Sequence, residues 1–237
     1  MQVEDRHDAD LSLILPTRGR HSMLKRFFAS LIQTASRLSR LEVIMYMDDD
    51  DQQCPVADAT HLQTHTVIGP RQTMGTMIRT CAAQARGRAF MLINDDAVFR
   101  TSGWDAAIAD VLDTYEDGIV LVWCNDLFRR QTMPNFPVLS RKLCELMETI
   151  CPSDYHRDYV DVHLFDIFQK LRALGHNRLA YLPDVVIEHL HHEAGKAQFD
   201  TTYRKPCMAS DELAFIALNT RRELIAHRLA GQIRGVA

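Results

Sequence analysis

The chain has 237 residues, 46% hydrophobic and 24% charged, with a formal net charge of −4 and a pI near 6.2. That is ordinary globular material, enough for one substantial α/β domain, and it gives no global electrostatic reason to expect a nucleic-acid partner. No apolar run reaches the roughly twenty residues of a membrane span. The N-terminal stretch through Glu4, Asp5, Arg6 and Asp10 also lacks the basic-then-apolar pattern of a signal peptide, so a cytoplasmic chain is expected, with a peripheral place at a membrane surface left open. Six cysteines are scattered without a Cys-x-x-Cys pair, which indicates buried thiols rather than a zinc knuckle or a disulfide framework.

In chain order, Leu11 to Leu15 reads as a first strand closed by Pro16, Thr17, Arg18 and Gly19. Leu24, Phe27, Phe28, Leu31, Ile32, Ala35 and Leu38 then keep helical spacing. Leu41 to Met47 is a nearly continuous apolar run, the mark of a strand covered on both faces, and it ends in the acids Asp48 to Asp51. His65 to Ile68 predicts a short strand with Gly69, Pro70 and Arg71 as its exit. Met74 to Ala85 predicts a helix that Gly87 stops.

The stretch Met91 to Phe99 is the centre of the chain's chemistry. A buried strand from Ala89 to Ile93 delivers Asn94, Asp95 and Asp96 and then turns apolar again at Ala97, Val98 and Phe99. Adjacent acids at a strand end repel one another unless a cation joins them, so a divalent metal suits the position; a solvated Asn/Asp turn is the other reading.

After it, Ser102 and Asp105 have capping-box spacing for a helix through Trp104, Ile108 and Leu112 that ends near Asp117-Gly118, and Ile119 to Trp123 is another strand. Pro134, Pro137 and Pro152 break the next segment and leave a modest helix from about Ser140 to Ile150. A helix over about Asp158 to Leu174, a strand through Leu179, Tyr181, Val185 and Ile187, and a last helix from about Ser210 complete the chain. Strands alternating with amphipathic helices predict a single α/β domain, residues 1–237, with a mainly parallel central sheet and helices on both faces. Within it residues 1–10 are expected to be a flexible terminus, 125–157 an irregular insertion on the acceptor side, 190–206 a lid-forming loop and 207–237 a C-terminal helix. Arg221, Arg222, Arg228 and Arg234 give that last helix a basic stripe, either a solvated face or a contact for an anionic acceptor or membrane.

Taken together, Leu13-Ile-Leu-Pro-Thr-Arg-Gly-Arg20, a second strand ending in acids, Asn94-Asp95-Asp96 and Pro183-Asp-Val-Val-Ile-Glu-His189 resemble a nucleotide-sugar glycosyltransferase of the GT-A fold, family 2-like, over roughly residues 11–200. The resemblance implies a metal-dependent, inverting transfer of a sugar from a nucleoside-diphosphate sugar, by default a UDP-sugar, to an acceptor hydroxyl. By position, Pro16, Thr17 and Arg18 line the base, and Asp48 and Asp50 accept hydrogen bonds from base or ribose. Asn94 contacts ribose or sugar hydroxyls, Asp95 is placed with the donor-binding residues, and Asp96, with His189 or His191, holds the metal. Imidazole ligation favours Mn²⁺ over Mg²⁺. Arg71 is placed with the donor-binding residues, and Lys196 or Arg204 would neutralise the diphosphate from the loop. Asp161 matches the family's general base, with Asp166 and then Asp158 as the other choices, and Trp104 would wall the sugar site. The acceptor, whether a glycan, a lipid-linked glycan, a protein or a modified nucleic acid, is left open. A sugar-phosphate nucleotidyltransferase and a non-catalytic nucleotide-sugar binder of the same fold are the alternatives; the single glycine after the first strand counts against a triphosphate cradle.

Overall fold

The computed structural model describes residues 9–51, 62–196 and 208–235. Strands β1 (Ala9–Thr17), β2 (Leu41–Asp48), β3 (Gln63–Gly69), β4 (Gly87–Leu92), β5 (Ala97–Phe99), β6 (Leu121–Asn125), β7 (Val138–Ser140) and β8 (Leu179–His189) form one sheet in the order β3-β2-β1-β4-β7-β6-β8-β5. β7 and β5 pair antiparallel to their neighbours and the other pairings are parallel, which makes a single, mainly parallel α/β domain.

The apolar strands are continuous because both faces of the sheet are covered. On β1, Leu11, Leu13 and Leu15 face α1 (His21–Thr34) and α3 (Trp104–Asp113), whereas Ile14 joins the opposite core. That second core is built on α2 (Met74–Gln84), α4 (Arg141–Leu146), α5 (Val160–Ala173) and α7 (Asn219–Ile233). The parallel order reverses at β1, which has β2 on one side and β4 on the other. A crevice opens at the carboxyl ends of strands at such a switch point, and the end of β1, Asp48 of β2 and the acids following β4 converge there.

Several expectations are corrected. Gly87 opens β4 instead of stopping α2, and its N–H donates to Ser12 Oγ (2.9 Å) and to the buried Glu42 Oε1 (3.0 Å). Ser102 and Asp105 form no capping box: Gly103, at φ 75°, caps α3, and Asp105 instead accepts from the backbone N–H groups of Ser36 (2.9 Å) and Arg37 (2.7 Å). Trp104 is not a wall of the sugar site, because it is fully buried against Phe99, ring centroids 4.4 Å apart. β5 and β7 were too short to stand out in the chain. They exist because β5 pairs with β8 and β7 bridges β4 to β6.

The last helix is two, α6 (Met208–Ala217) and α7, with Leu218 between them. Arg222, on the expected basic stripe, is 1% exposed. Its guanidinium donates to the Phe215 carbonyl (2.7 Å), satisfying an orphan acceptor at the end of α6, and its Nε donates to Asp166 (2.5 Å). Among the described residues no helix is long and apolar enough to cross a membrane.

One contact from α6 sets the approach to α5. The fully buried Asp211 carboxylate accepts from the N–H groups of His156 (2.9 Å), Arg157 (3.0 Å) and Asp158 (2.8 Å). Tyr159, which follows, takes a left-handed φ of 69° that a non-glycine residue adopts only under such constraint. Asp211→Ala removes the shared acceptor of three backbone N–H groups and should lower stability by about 2 kcal/mol, with Asp211→Asn losing about half as much. Urea unfolding of both variants measures this, and equal midpoints to the parent chain would contradict the clamp.

Candidate active site

Asn94, Asp95 and Asp96 form the turn that carries β4 into β5, closed by an Ala97 N–H to Asn94 carbonyl bond of 3.2 Å. Asn94 is exposed and the two acids are buried. Asp95 is bound from two sides of the loop after β1, by Thr17 Oγ1 on Oδ2 (2.6 Å) and Arg20 Nη1 on Oδ1 (3.1 Å). Burial pushes the Asp95 carboxyl up to about 6, against the pull of Arg20 and Thr17.

Asp96 meets β8. The β5–β8 register sets Ala97 opposite His189, and the Leu190 N–H donates to the Asp96 carbonyl (3.0 Å), so His189 Nε2 arrives 3.3 Å from Asp96 Oδ1. His189 is fixed from behind. Its N–H donates to the Asp126 carbonyl (3.0 Å), Asn135 Nδ2 lies 3.4 Å from its Nδ1, and Phe136 packs on the ring. The Asp126 carboxylate organises that support by accepting from the N–H groups of Phe128, Arg129 and Arg130 and from Asn135 Nδ2. His191 lies beside His189, ring centroids 5.0 Å apart, but stacks on Phe128 and accepts the Glu193 N–H at Nδ1. Burial lowers its pKa first, and the neighbouring His189 and His192 lower it further.

The described residues contain no cluster of three or more His, Cys, Asp or Glu arranged around one point. They do offer the Asp96–His189 pair. Two ligands about 2.1 Å from one ion lie about 3.0 Å apart at a right angle and about 3.4 Å apart at the tetrahedral angle, which brackets their spacing. A carboxylate, an imidazole and phosphate oxygens make a donor set suited to a divalent ion, so the residues fit such a group.

At the neighbouring strand ends, Arg18 bonds Asp48 (2.6 Å) and Asp50 (2.9 Å), and both acids raise the guanidinium pKa, Asp50 first. The Gly19 N–H donates to Asp51 (2.7 Å). Pro16 lies in β1 opposite Tyr46, and Arg71 is exposed after β3, where its charge acts on Asp50. Asp161 sits in the first turn of α5 and accepts the Val162 N–H (2.8 Å). Burial raises its pKa, Asp158 adds to the rise, and the charge of His189 opposes it, which places Asp161 within electrostatic reach of the Asp96–His189 pair.

Two expected site residues are engaged elsewhere. Asp166 is ion-paired with Arg222 (2.5 Å) and Lys170 (2.9 Å), and these bonds hold its carboxyl below the usual range despite partial burial. Lys196 Nζ bonds Glu188 (2.7 Å), which also takes Arg100. Residues 197–206 of the expected lid, with Arg204, lie outside the described residues, as do residues 1–8 and the cysteines Cys54 and Cys207. Arg20, Asp126, Asn135 and Asp211 carried no expected role. Only Asp126, an acid just past a strand end, had a signal comparable to that of Asp48 or Asp95.

No protein-family model matches the chain, and no curated protein matches it. Among solved structures it is similar to S. aureus TarS 1–349 in complex with UDP-GlcNAc, at TM-score 0.65 and 12% identity over 94% of this chain and 71% of that one. It is also similar to the mannosyltransferase PcManGT from Pyrobaculum calidifontis in complex with GDP-Man and Mn²⁺, at TM-score 0.60 and 16% identity over 98% of this chain and 77% of that one. The chain has a GT-A-like glycosyltransferase fold. Against TarS 1–349 in complex with UDP, at TM-score 0.55 and 14% identity, 75% of this chain matches and spans 59% of that one; it spans 36% of a longer TarS structure. In this GT-A-like fold the conserved element of the comparison is the backbone, since 12–16% identity leaves the side chains to be judged on their own geometry.

The raised pKa of Asp95 has a stability consequence. Above about pH 6 the folded chain holds a carboxylate that ionises more easily when unfolded, at the reference value of 3.8, so the penalty is full above pH 6 and fades as pH falls towards 3.8. Asp95→Asn should therefore stabilise the chain at pH 7 by about 2 kcal/mol and flatten its stability between pH 4 and 6. Urea midpoints of parent and variant across that range test it; a difference between the two that does not grow as pH rises from 4 to 6 would contradict the assignment.

Proposed function

We propose that the protein is a metal-dependent, inverting glycosyltransferase that takes a sugar from a nucleoside-diphosphate sugar. The observation that carries the reading is the Asp96–His189 apposition at the carboxyl ends of the strands, in a fold whose solved relatives are named with bound UDP, UDP-GlcNAc or GDP-Man.

Asp96 and His189 would hold the divalent ion, Mn²⁺ in preference to Mg²⁺ because an imidazole is among the ligands. When bound, that ion supplies Lewis-acid charge to the diphosphate leaving group. Pro16, Thr17, Arg18, Asp48 and Asp50 line the nucleoside side, with Asp48 presenting an acceptor for base or ribose and Arg18 keeping it oriented. Asn94, with its exposed side-chain carbonyl, meets ribose or sugar hydroxyls, and Asp95 holds the loop after β1 beside it through Thr17 and Arg20.

Asp161 is the general base. Its raised pKa strengthens it as a proton acceptor, and its carboxylate would take the acceptor hydroxyl's proton as that oxygen attacks the anomeric carbon from the face opposite the leaving group. Asp166 is excluded from that role in this reading, because Arg222 and Lys170 already hold its oxygens. Asp161→Asn should keep donor binding and lose transfer by about a hundredfold or more. A variant with parental turnover would move the base elsewhere.

Calorimetric titration of UDP, GDP and their sugars, each with Mn²⁺ and with chelator, tests the donor class. Binding of one nucleoside diphosphate that needs Mn²⁺ and is lost in Asp96→Ala is the expected result. Tighter binding of a nucleoside triphosphate would favour a nucleotidyltransferase instead.

A further inference from the structure

Arg20 reaches the Asn94–Asp96 turn from the loop before α1, a position the proposed chemistry leaves without a task. Its side chain is 11% exposed, with Nη1 3.1 Å from Asp95 Oδ1 and 3.7 Å from Asp96 Oδ2. Asp96 is thus approached by a fixed cation on one carboxylate oxygen and by the His189 imidazole, at 3.3 Å, on the other. The guanidinium shares this small, buried space with the place where Asp96 and His189 would hold a divalent ion.

Resting on the transferase reading, we propose that Arg20 is a positioning residue that makes metal binding at Asp96 and His189 conditional on the nucleoside diphosphate. Without nucleotide, a divalent ion at that pair meets the positive charge of Arg20 in surroundings where water screens little, and the repulsion weakens its binding. A diphosphate supplies the missing negative charge to both cations at once. A planar guanidinium bonds phosphate oxygens as readily as carboxylates, and Thr17, bonded to the other oxygen of Asp95, keeps that carboxylate oriented if Arg20 turns. Linkage then requires metal and nucleotide to tighten one another by the same factor, so that neither accumulates at the site alone. Arg20 also offsets part of the charge of two adjacent buried acids, more of which would otherwise go uncompensated.

The test is Mn²⁺ binding to the full chain, read as free Mn²⁺ by electron paramagnetic resonance, with no nucleotide and with saturating UDP or GDP in turn. In R20Q, which keeps a donor for Asp95 and loses the charge, nucleotide-free Mn²⁺ affinity should rise about tenfold and the tightening caused by nucleotide should shrink by a similar factor. R20K, which keeps the charge, should stay within about threefold of the parent. Unchanged or weaker nucleotide-free Mn²⁺ binding in a folded R20Q overturns the proposal. So does a parent chain that binds Mn²⁺ equally with and without a nucleotide it demonstrably binds, a result that needs no variant. A parent chain that binds neither UDP nor GDP under any condition removes the transferase reading and this inference with it, whereas the two preceding results remove the inference alone.

Discussion

Two adjacent carboxylates buried at the turn between β4 and β5 are the constraint around which this protein is arranged. A buried acid is stable only if its surroundings supply donors or positive charge, and the fold brings them from two distant parts of the chain. Thr17 and Arg20 come from the end of β1, and His189 from the end of β8. The switch point of the sheet makes this convergence necessary, since β1 lies between β2 and β4 and all three strands deliver their exits to one crevice. Burial of Asp95 costs free energy that a solvated turn would not.

The same device recurs in the supporting loops. Asp105, Asp126 and Asp211 are each buried, and each accepts several backbone N–H groups from a loop elsewhere in the chain or beside it. Charge-assisted bonds of this kind order irregular backbone as firmly as a helix or a ladder would. Asp126 thereby braces His189, and Asp211 braces the segment that leads into Asp161. The candidate site stands on these anchors, which hold the loops that carry its residues.

The α1 and α2 stripes, the double-sided strands and the acids at strand ends were all legible in the chain, because each is a local pattern of apolar and charged residues. Gly87 and the Ser102–Asp105 pair were misleading for a common reason. Their roles are set by partners far away, Ser12 and Glu42 for the glycine, Ser36 and Arg37 for Asp105, and spacing along the chain carries no trace of such partners. Trp104 looked like a site residue beside the acids, but the turn at Gly103 sends its ring into the core.

By itself the sequence determined the α/β class, the parallel sheet covered on both faces and the strand exits at which polar chemistry gathers, since periodicity and strand-end acids are local properties. Only the tertiary structure decided which acids meet which cations. It put His189 against Asp96, tied Asp166 to Arg222 and left Asp161 within electrostatic reach of His189, and it brought Arg20 to Asp95. Strand register and helix packing decide those pairings, and both depend on residues far apart in the chain or on strands too short to read.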